Sequence, residues 1–239
     1  MSRHDGREPD ELRPVHITRG VMRNAEGSAL IRMGNTEVNC TATVEESVPA
    51  FMMDTGKGWL TAEYAMLPRA TQERTRRDSV AGRVSGRSQE IQRIIGRVLR
   101  ASLNMDKLGE RMIIVDCDVL QADGGTRTAS ITGGFVAVYD AVQYMLREGM
   151  INEDPISEFV AAVSVGIHDG VALLDLDYQE DSKAGVDLNI AMNSAGEYIE
   201  IQGTAESEPF SKDRLCNLLK LAEDGILKLI AKQKEILWE

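Results

Sequence analysis

The sequence predicts an α+β protein, and three observations carry that prediction. Four short runs with two-residue alternation open the chain, bounded by turn residues. Two helical stretches flanking one apolar strand occupy the middle. Four further strand-like runs and one long helix close it. Strands, helix, strand, helix, strands, helix is the element order of an α+β chain whose halves resemble each other in plan, although no sequence repeat links them. At 239 residues the chain can bury a large core. The expectation is one domain over residues 1–239, with halves of about 1–120 and 121–239.

Taken in order, residues 1–14 are polar and read as loosely held. VHITRGVMR (Val15 to Arg23) and SALIRM (Ser28 to Met33) read as strands around a turn at Asn24 to Gly27. Gly34 and Asn35 then turn the chain into a third alternating strand, Glu37 to Glu45. Trp59 to Leu67 reads as a fourth. Arg69 to Gly86 has no apolar period and many charges, the pattern of an exposed loop. Ser88 to Leu103 carries Ile91, Ile94, Ile95, Val98 and Leu99 on one face, an amphipathic helix. Arg87 falls just before its first turn, and Arg93, Arg97 and Arg100 form a second stripe along it.

The stretch VLQADGGTRTASITGG (Val119 to Gly134) is the richest in chemistry. The apolar run Arg111 to Gln121 ends in a tight turn at Asp123, Gly124 and Gly125. From Thr126 onward, apolar residues recur at helical spacing. A helix start presents unpaired N–H groups and a partial positive charge, and glycines let an oxyanion approach the backbone. Thr126, Arg127, Thr128 and Ser130 add hydroxyls and a guanidinium fork. This is a phosphate site by physical construction. It is not a Walker A loop, because the G-x-x-x-x-G-K-[ST] spacing is absent. The pair Gly133–Gly134 inside the helix points to close approach of another backbone.

After Pro155 the strands return at Phe159 to Ile167, Gly170 to Leu176, Gly185 to Asn193 and Glu197 to Gln202. Ser211 to Trp238 reads as a closing helix. Within the strand block, Asp175, Asp177, Glu180, Asp181 and Asp187 crowd into LDLDYQEDSKAGVD. Carboxylates at this density suit Mg²⁺, which takes one or two of them and shares phosphate oxygens.

Composition excludes several classes. No apolar run reaches the ~18 residues of a membrane span, and the N-terminus is too polar for a signal peptide. Cys40, Cys117 and Cys216 have no C-x-x-C pairing, so they read as buried free thiols in a reducing cytoplasm. His4, His16 and His168 are scattered and take no catalytic role. The net charge of −11 argues against a nucleic-acid partner. Yet Arg69 to Arg100 holds nine arginines, no lysine and three acidic residues, a local balance of +6. Such an island points to a localised polyanion site. Guanidinium forks match phosphate better than ammonium does, so Arg69, Arg74, Arg76 and Arg77 are expected to hold an RNA backbone.

The motifs DGREPDELRPVHI, SGRSQEIQRIIGRVLR, VLQADGGTRTASITGG, DLDYQEDSKAGVDLNIAM and IQGTAESEPF resemble those of bacterial ribonuclease PH over essentially the full chain. The resemblance implies a ribonuclease PH-like fold of two similar β-α-β-α halves packed as one unit, and a ring of six identical subunits. It implies phosphorolytic 3′-to-5′ trimming of RNA, typically tRNA precursors, with inorganic phosphate as co-substrate. Arg87, Gly125, Thr126 and Arg127 would bind phosphate, with Arg127 also catalytic. Asp181 and Asp187 match the family's catalytic, metal-binding aspartates, with Mg²⁺ as the expected cation. Two other readings stay open. One is a catalytically silent or archaeal-exosome-like ring subunit that binds RNA. The other is a small-molecule phosphate enzyme in which the arginine loop is idle surface.

Overall fold

The structure is a computed structural model. It describes residues 3–206 and 209–238, so Ser207 and Glu208 of the IQGTAESEPF motif lie outside the described residues. The first half contributes strands β1 (Val15–Arg19), β2 (Gly27–Met33), β3 (Thr36–Glu45), β4 (Trp59–Met66) and β5 (Met112–Gln121). Between β4 and β5 lie a one-turn helix α1 (Asp78–Ala81), the long α2 (Gly86–Arg100) and a second single turn, α3 (Met105–Leu108). Helix α4 (Thr126–Arg147) follows. The second half holds β6 (Val160–His168), β7 (Val171–Leu174), the single turn α5 (Tyr178–Asp181), β8 (Val186–Asn193), β9 (Tyr198–Ala205) and α6 (Lys212–Leu237).

The five strands of the first half form one sheet in the order β1-β2-β3-β5-β4, antiparallel except for β4 beside β5. The parallel pair needs a crossover, and α2 supplies it. The other four form an antiparallel sheet in the order β7-β6-β8-β9. Helix α4 is buried on both sides, against β2 and β3 on one and β6 on the other. That explains why its sequence is apolar nearly all round rather than striped. Phe135 at its centre is fully buried, so Phe135→Ala should cost about 3–5 kcal/mol.

Every strand and long helix expected from periodicity is present, with ends shifted by a few residues. The three single-turn helices and a short 3₁₀ turn at Ala50–Met52 were not expected. They are too short to show a period. Two other expectations need correction. At Gly133 an added Cβ would meet the Ile31 side chain at 2.7 Å, and at Gly134 the Leu99 side chain at 3.3 Å, so side chains rather than a backbone press on α4 there. The backbone approach comes from Gly27 on β2, where a Cβ would collide with the Ala137 carbonyl. Cys40 and Cys117 are buried, facing each other across β3 and β5, whereas Cys216 is exposed.

The N-terminal segment is the largest departure. Arg3, Arg7 and Arg13 are 7%, 7% and 4% exposed. Arg3 grips Glu180 through two bonds of 2.7 and 2.5 Å. Arg13 grips Asp175 at 2.6 and 3.0 Å. The segment is therefore a strap pinned across the second half. Its polarity is internal ion pairing with carboxylates more than 160 residues away, a separation that no local pattern reveals.

Candidate active site

A cleft of about 810 Å³ opens where the glycine turn meets the turn after β7. Arg87, Gly125, Thr126, Arg127, Asp181 and Asp187 all line it. The expected phosphate and carboxylate residues, about 50 or more residues apart in sequence, thus line one cleft.

Helix α4 starts at a sharp turn in which Gly124 (φ +73°) and Gly125 (φ +63°) are both left-handed. Side chains are disfavoured in that conformation. Gly125 is the N-cap and no side chain caps the helix, so its first-turn amides are left for a ligand. Hydroxyls are scarcer than the sequence suggests. Thr128 donates to the Gly125 carbonyl at 2.9 Å and Ser130 to that of Thr126 at 2.8 Å, and both are buried. In a helix such hydroxyls fold back on the preceding turn. Of the hydroxyls in this stretch, only that of Thr126 borders the cleft, and it pairs with the Tyr64 hydroxyl at 2.8 Å.

Arg87 sits within the first turn of α2 rather than before it, because Ser85 caps the helix by accepting the Ser88 N–H at 3.0 Å. Arg127 is half-buried. Burial, reinforced by the Arg87 charge, weakens its hold on its proton. A partly desolvated guanidinium beside a second, exposed one of the same charge is stabilised by a dianion between them. Arg127 is also oriented from behind. Its Nη1 donates to the Gln202 side-chain oxygen, and the Gln202 amide donates in turn to Glu90. Tyr64, Gln202 and Glu90 went unnoticed in the sequence because a lone residue on a strand or helix carries no signal of its partner.

The acidic cluster divides in two. Asp175 is fully buried against Arg13. Asp177 caps α5, accepting the Glu180 N–H at 3.0 Å, and lies 2.5 Å from His4 Nε2. Glu180 belongs to Arg3. His4, Asp177 and Glu180 lie close enough together to chelate. However, the Arg3 guanidinium already occupies both Glu180 oxygens, so that cluster is a structural knot.

Asp181 and Asp187 face the cleft instead. Asp181 ends α5, exposed at the cleft mouth but with protein packed around its other sides. That partial desolvation pushes its carboxyl up, against the opposing charges of Arg87, Arg127 and Arg13. Asp187 is the second residue of β8. Burial first, then the charges of Asp181 and Glu206, push it up as well. Two oxygen-only groups whose ionisation is disfavoured by burial and, at Asp187, by the charge of Asp181 suit a hard divalent cation. Glu206, a further carboxylate lining the cleft, escaped sequence reading.

The arginine loop lies apart. Arg69, Arg74, Arg76 and Arg77 are exposed, and none borders the cleft, although Thr71, Gln72 and Glu73 of the same loop do. Arg76 donates to the Val80 carbonyl at 2.8 Å. The second arginine stripe on α2 is split: Arg97 pairs with Glu200 at 2.6 Å, and Arg100 lies 4.5 Å over the Trp59 ring.

Fold and site together define a class, a two-sheet α+β protein whose anion cradle faces a carboxylate pair across an open cleft. Residues 11–142 match domain 1 of the 3′ exoribonuclease family, and residues 158–225 match domain 2. Ribonuclease PH of Moorella thermoacetica is 56% identical over 237 residues, covering 99% of this chain and 95% of that protein. The chain belongs to the 3′ exoribonuclease family. Among solved structures, the Archaeoglobus fulgidus exosome with RNA bound to the active site is similar at a TM-score of 0.82 and 24% identity. That match covers 97% of this chain and 92% of the other. An archaeal exosome core is similar at 0.78 and 24%, covering 98% and 91%. At these identities the structural likenesses speak for the fold.

Proposed function

We propose how the cleft works in a chain that is a phosphorolytic 3′-to-5′ exoribonuclease of the ribonuclease PH type. RNA(n+1) and inorganic phosphate give RNA(n) and a nucleoside 5′-diphosphate. The reading of the site is supported by one observation above the rest, the convergence of Arg87, the Gly125–Arg127 turn, Asp181 and Asp187 on a single cleft.

Arg87, Arg127 and the free amides at the start of α4 hold the attacking phosphate. Phosphate is already an anion at neutral pH and needs no side-chain base. Arg127, fixed by Gln202, stabilises charge on the transferring phosphoryl group. Asp181 and Asp187 hold Mg²⁺, which when bound neutralises charge on phosphoryl or leaving oxygens. Arg69, Arg74, Arg76 and Arg77 grip the RNA backbone. The substrates are chiefly tRNA precursors, and the working form is a hexamer built as three dimers, which would bring several exposed loops around one RNA end.

The test is release of nucleoside diphosphates from a 3′-extended tRNA precursor on adding phosphate. Monophosphate release without phosphate, or no release at all, would overturn the reading. Sedimentation of an active monomer at micromolar concentration would reject the ring.

A further inference from the structure

The two walls of the cleft come from turns about fifty residues apart in sequence, 123–127 after β5 and 175–181 after β7. They belong to different sheets, so no ladder of backbone bonds sets their separation. Arg13 bridges them. Its Nε and Nη2 donate to the Asp175 carboxylate at 3.0 and 2.6 Å, and its backbone N–H donates to the same group at 2.9 Å. Its Nη1 reaches the other way and donates to the Asp123 carbonyl at 2.5 Å. The fork thus holds one turn with each arm.

The fit around this bridge is tight. A Cβ on Gly125 would lie 2.9 Å from Arg13 Nη2, and one on Gly124 would lie 2.6 Å from the Asp177 carbonyl carbon. Asp175 itself holds a left-handed backbone (φ +53°), a conformation that costs energy for a residue with a side chain and persists only when its surroundings enforce it. The enforcement is visible: Arg3 and Arg7 donate to the Asp175 carbonyl at 3.0 and 2.9 Å while Arg13 takes the carboxylate. Six residues on, the same turn presents Asp181 to the cleft.

We propose that Arg13 is a positioning residue for phosphorolysis: by clamping the glycine turn to the Asp175–Asp181 turn, it sets the spacing between the bound phosphate and the carboxylate pair. Arg13 does not line the cleft, and the proposal rests on the reading of the cleft given above. The guanidinium spreads its donors over three nitrogens in a rigid plane and so reaches acceptors on both turns, whereas an ammonium has its donors on a single nitrogen.

Arg13→Lys is therefore the informative variant, since it keeps a charge beside Asp175 and loses the arm to Asp123. The expected result is a kcat lower by at least about tenfold, with the KM for RNA within about threefold. Amide hydrogen exchange should speed up in both 122–127 and 176–181 while α4 and α6 keep their protection. Leu229→Ala, a buried α6 change remote from the cleft, serves as the destabilised control and should keep kcat near wild type well below its melting point. If Arg13→Lys does not fold, Asp175→Asn replaces it, with the same expectations. A kcat within twofold of wild type overturns the proposal, as does loosening of only one of the two segments. Inactivity of the wild-type protein would instead strike the reading of the cleft, and the exchange data would still decide whether Arg13 ties the two turns.

Discussion

Two arginine-rich segments of this chain look alike in sequence and have opposite fates. Residues 3–13 and residues 69–83 are both polar, aperiodic and basic in places, and the first reads as loosely held, the second as an exposed loop. In the first, Arg3, Arg7 and Arg13 are nearly fully buried and spent on Asp175 and Glu180. In the second, Arg69, Arg74, Arg76, Arg77 and Arg83 stay in solvent. The difference lies in the partner. A buried guanidinium is tolerated only with a carboxylate beside it, and the second half of the chain offers such carboxylates to the strap. Among the described residues no ion pair ties the loop arginines to a carboxylate, so their charge is available to a ligand.

Breaking the strap should give the largest effect. Arg13→Ala strips the buried Asp175 of its hydrogen-bonded counter-ion and leaves only Arg7 at 3.9 Å, and chemical denaturation should show a loss of about 3–5 kcal/mol. The triple change of Arg74, Arg76 and Arg77 to alanine should leave stability within about 0.5 kcal/mol. Equal losses in the two segments would erase the contrast.

The cleft arginines sharpen it from the other side. Arg127→Ala should leave the far-UV spectrum unchanged and lower the phosphorolysis rate at least ~10²-fold, since it removes preorganised charge-assisted bonds. Asp187→Asn should act similarly on rate while RNA and phosphate affinity hold. Near-normal turnover at saturating phosphate would reject either role.

The loop triple variant should then reveal what its arginines are for. RNA affinity at low salt should fall. The log–log salt slope should flatten by about 0.7 for each single-strand phosphate that the loop no longer neutralises. Phosphate affinity should hardly move. Unchanged RNA binding would make the loop solvated surface.

The smallest effect is in pH. Glu180 and Asp5 are held below the ordinary carboxylate range by Arg3 and Arg7 acting against burial. Their folded values are depressed, so their stabilisation is present above the unfolded values and is lost as pH falls through the folded ones. Asp181 and Asp187 are raised, chiefly by burial, and behave oppositely. Their protonated forms favour the fold, and that contribution is lost as pH rises through the raised values. Activity that needs the ionised pair should therefore fail on acidification at a pH above the ordinary carboxylate value of about 3.9. Added Mg²⁺ should move that acid limb downward. A limb at the ordinary value that ignores Mg²⁺ would detach the pair from the chemistry.

Legible in the residues alone were the α+β element order, the glycine turn that starts α4, and the six residues that meet in the cleft. These rest on local regularities: two-residue and 3.6-residue periods, turn glycines, and motifs long enough to show a family resemblance. Which members of a dense cluster do what became visible only in three dimensions. Folding assigned Asp175, Asp177 and Glu180 to the strap and left Asp181 and Asp187 facing the cleft. It also turned the Thr128 and Ser130 hydroxyls inward, brought Tyr64, Gln202 and Glu90 behind the phosphate turn, and buried the N-terminal arginines. The cause is range. Backbone periodicity is a property of neighbours along the chain, whereas the role of a charged side chain is set by the partner that folding brings to it, here from more than a hundred residues away.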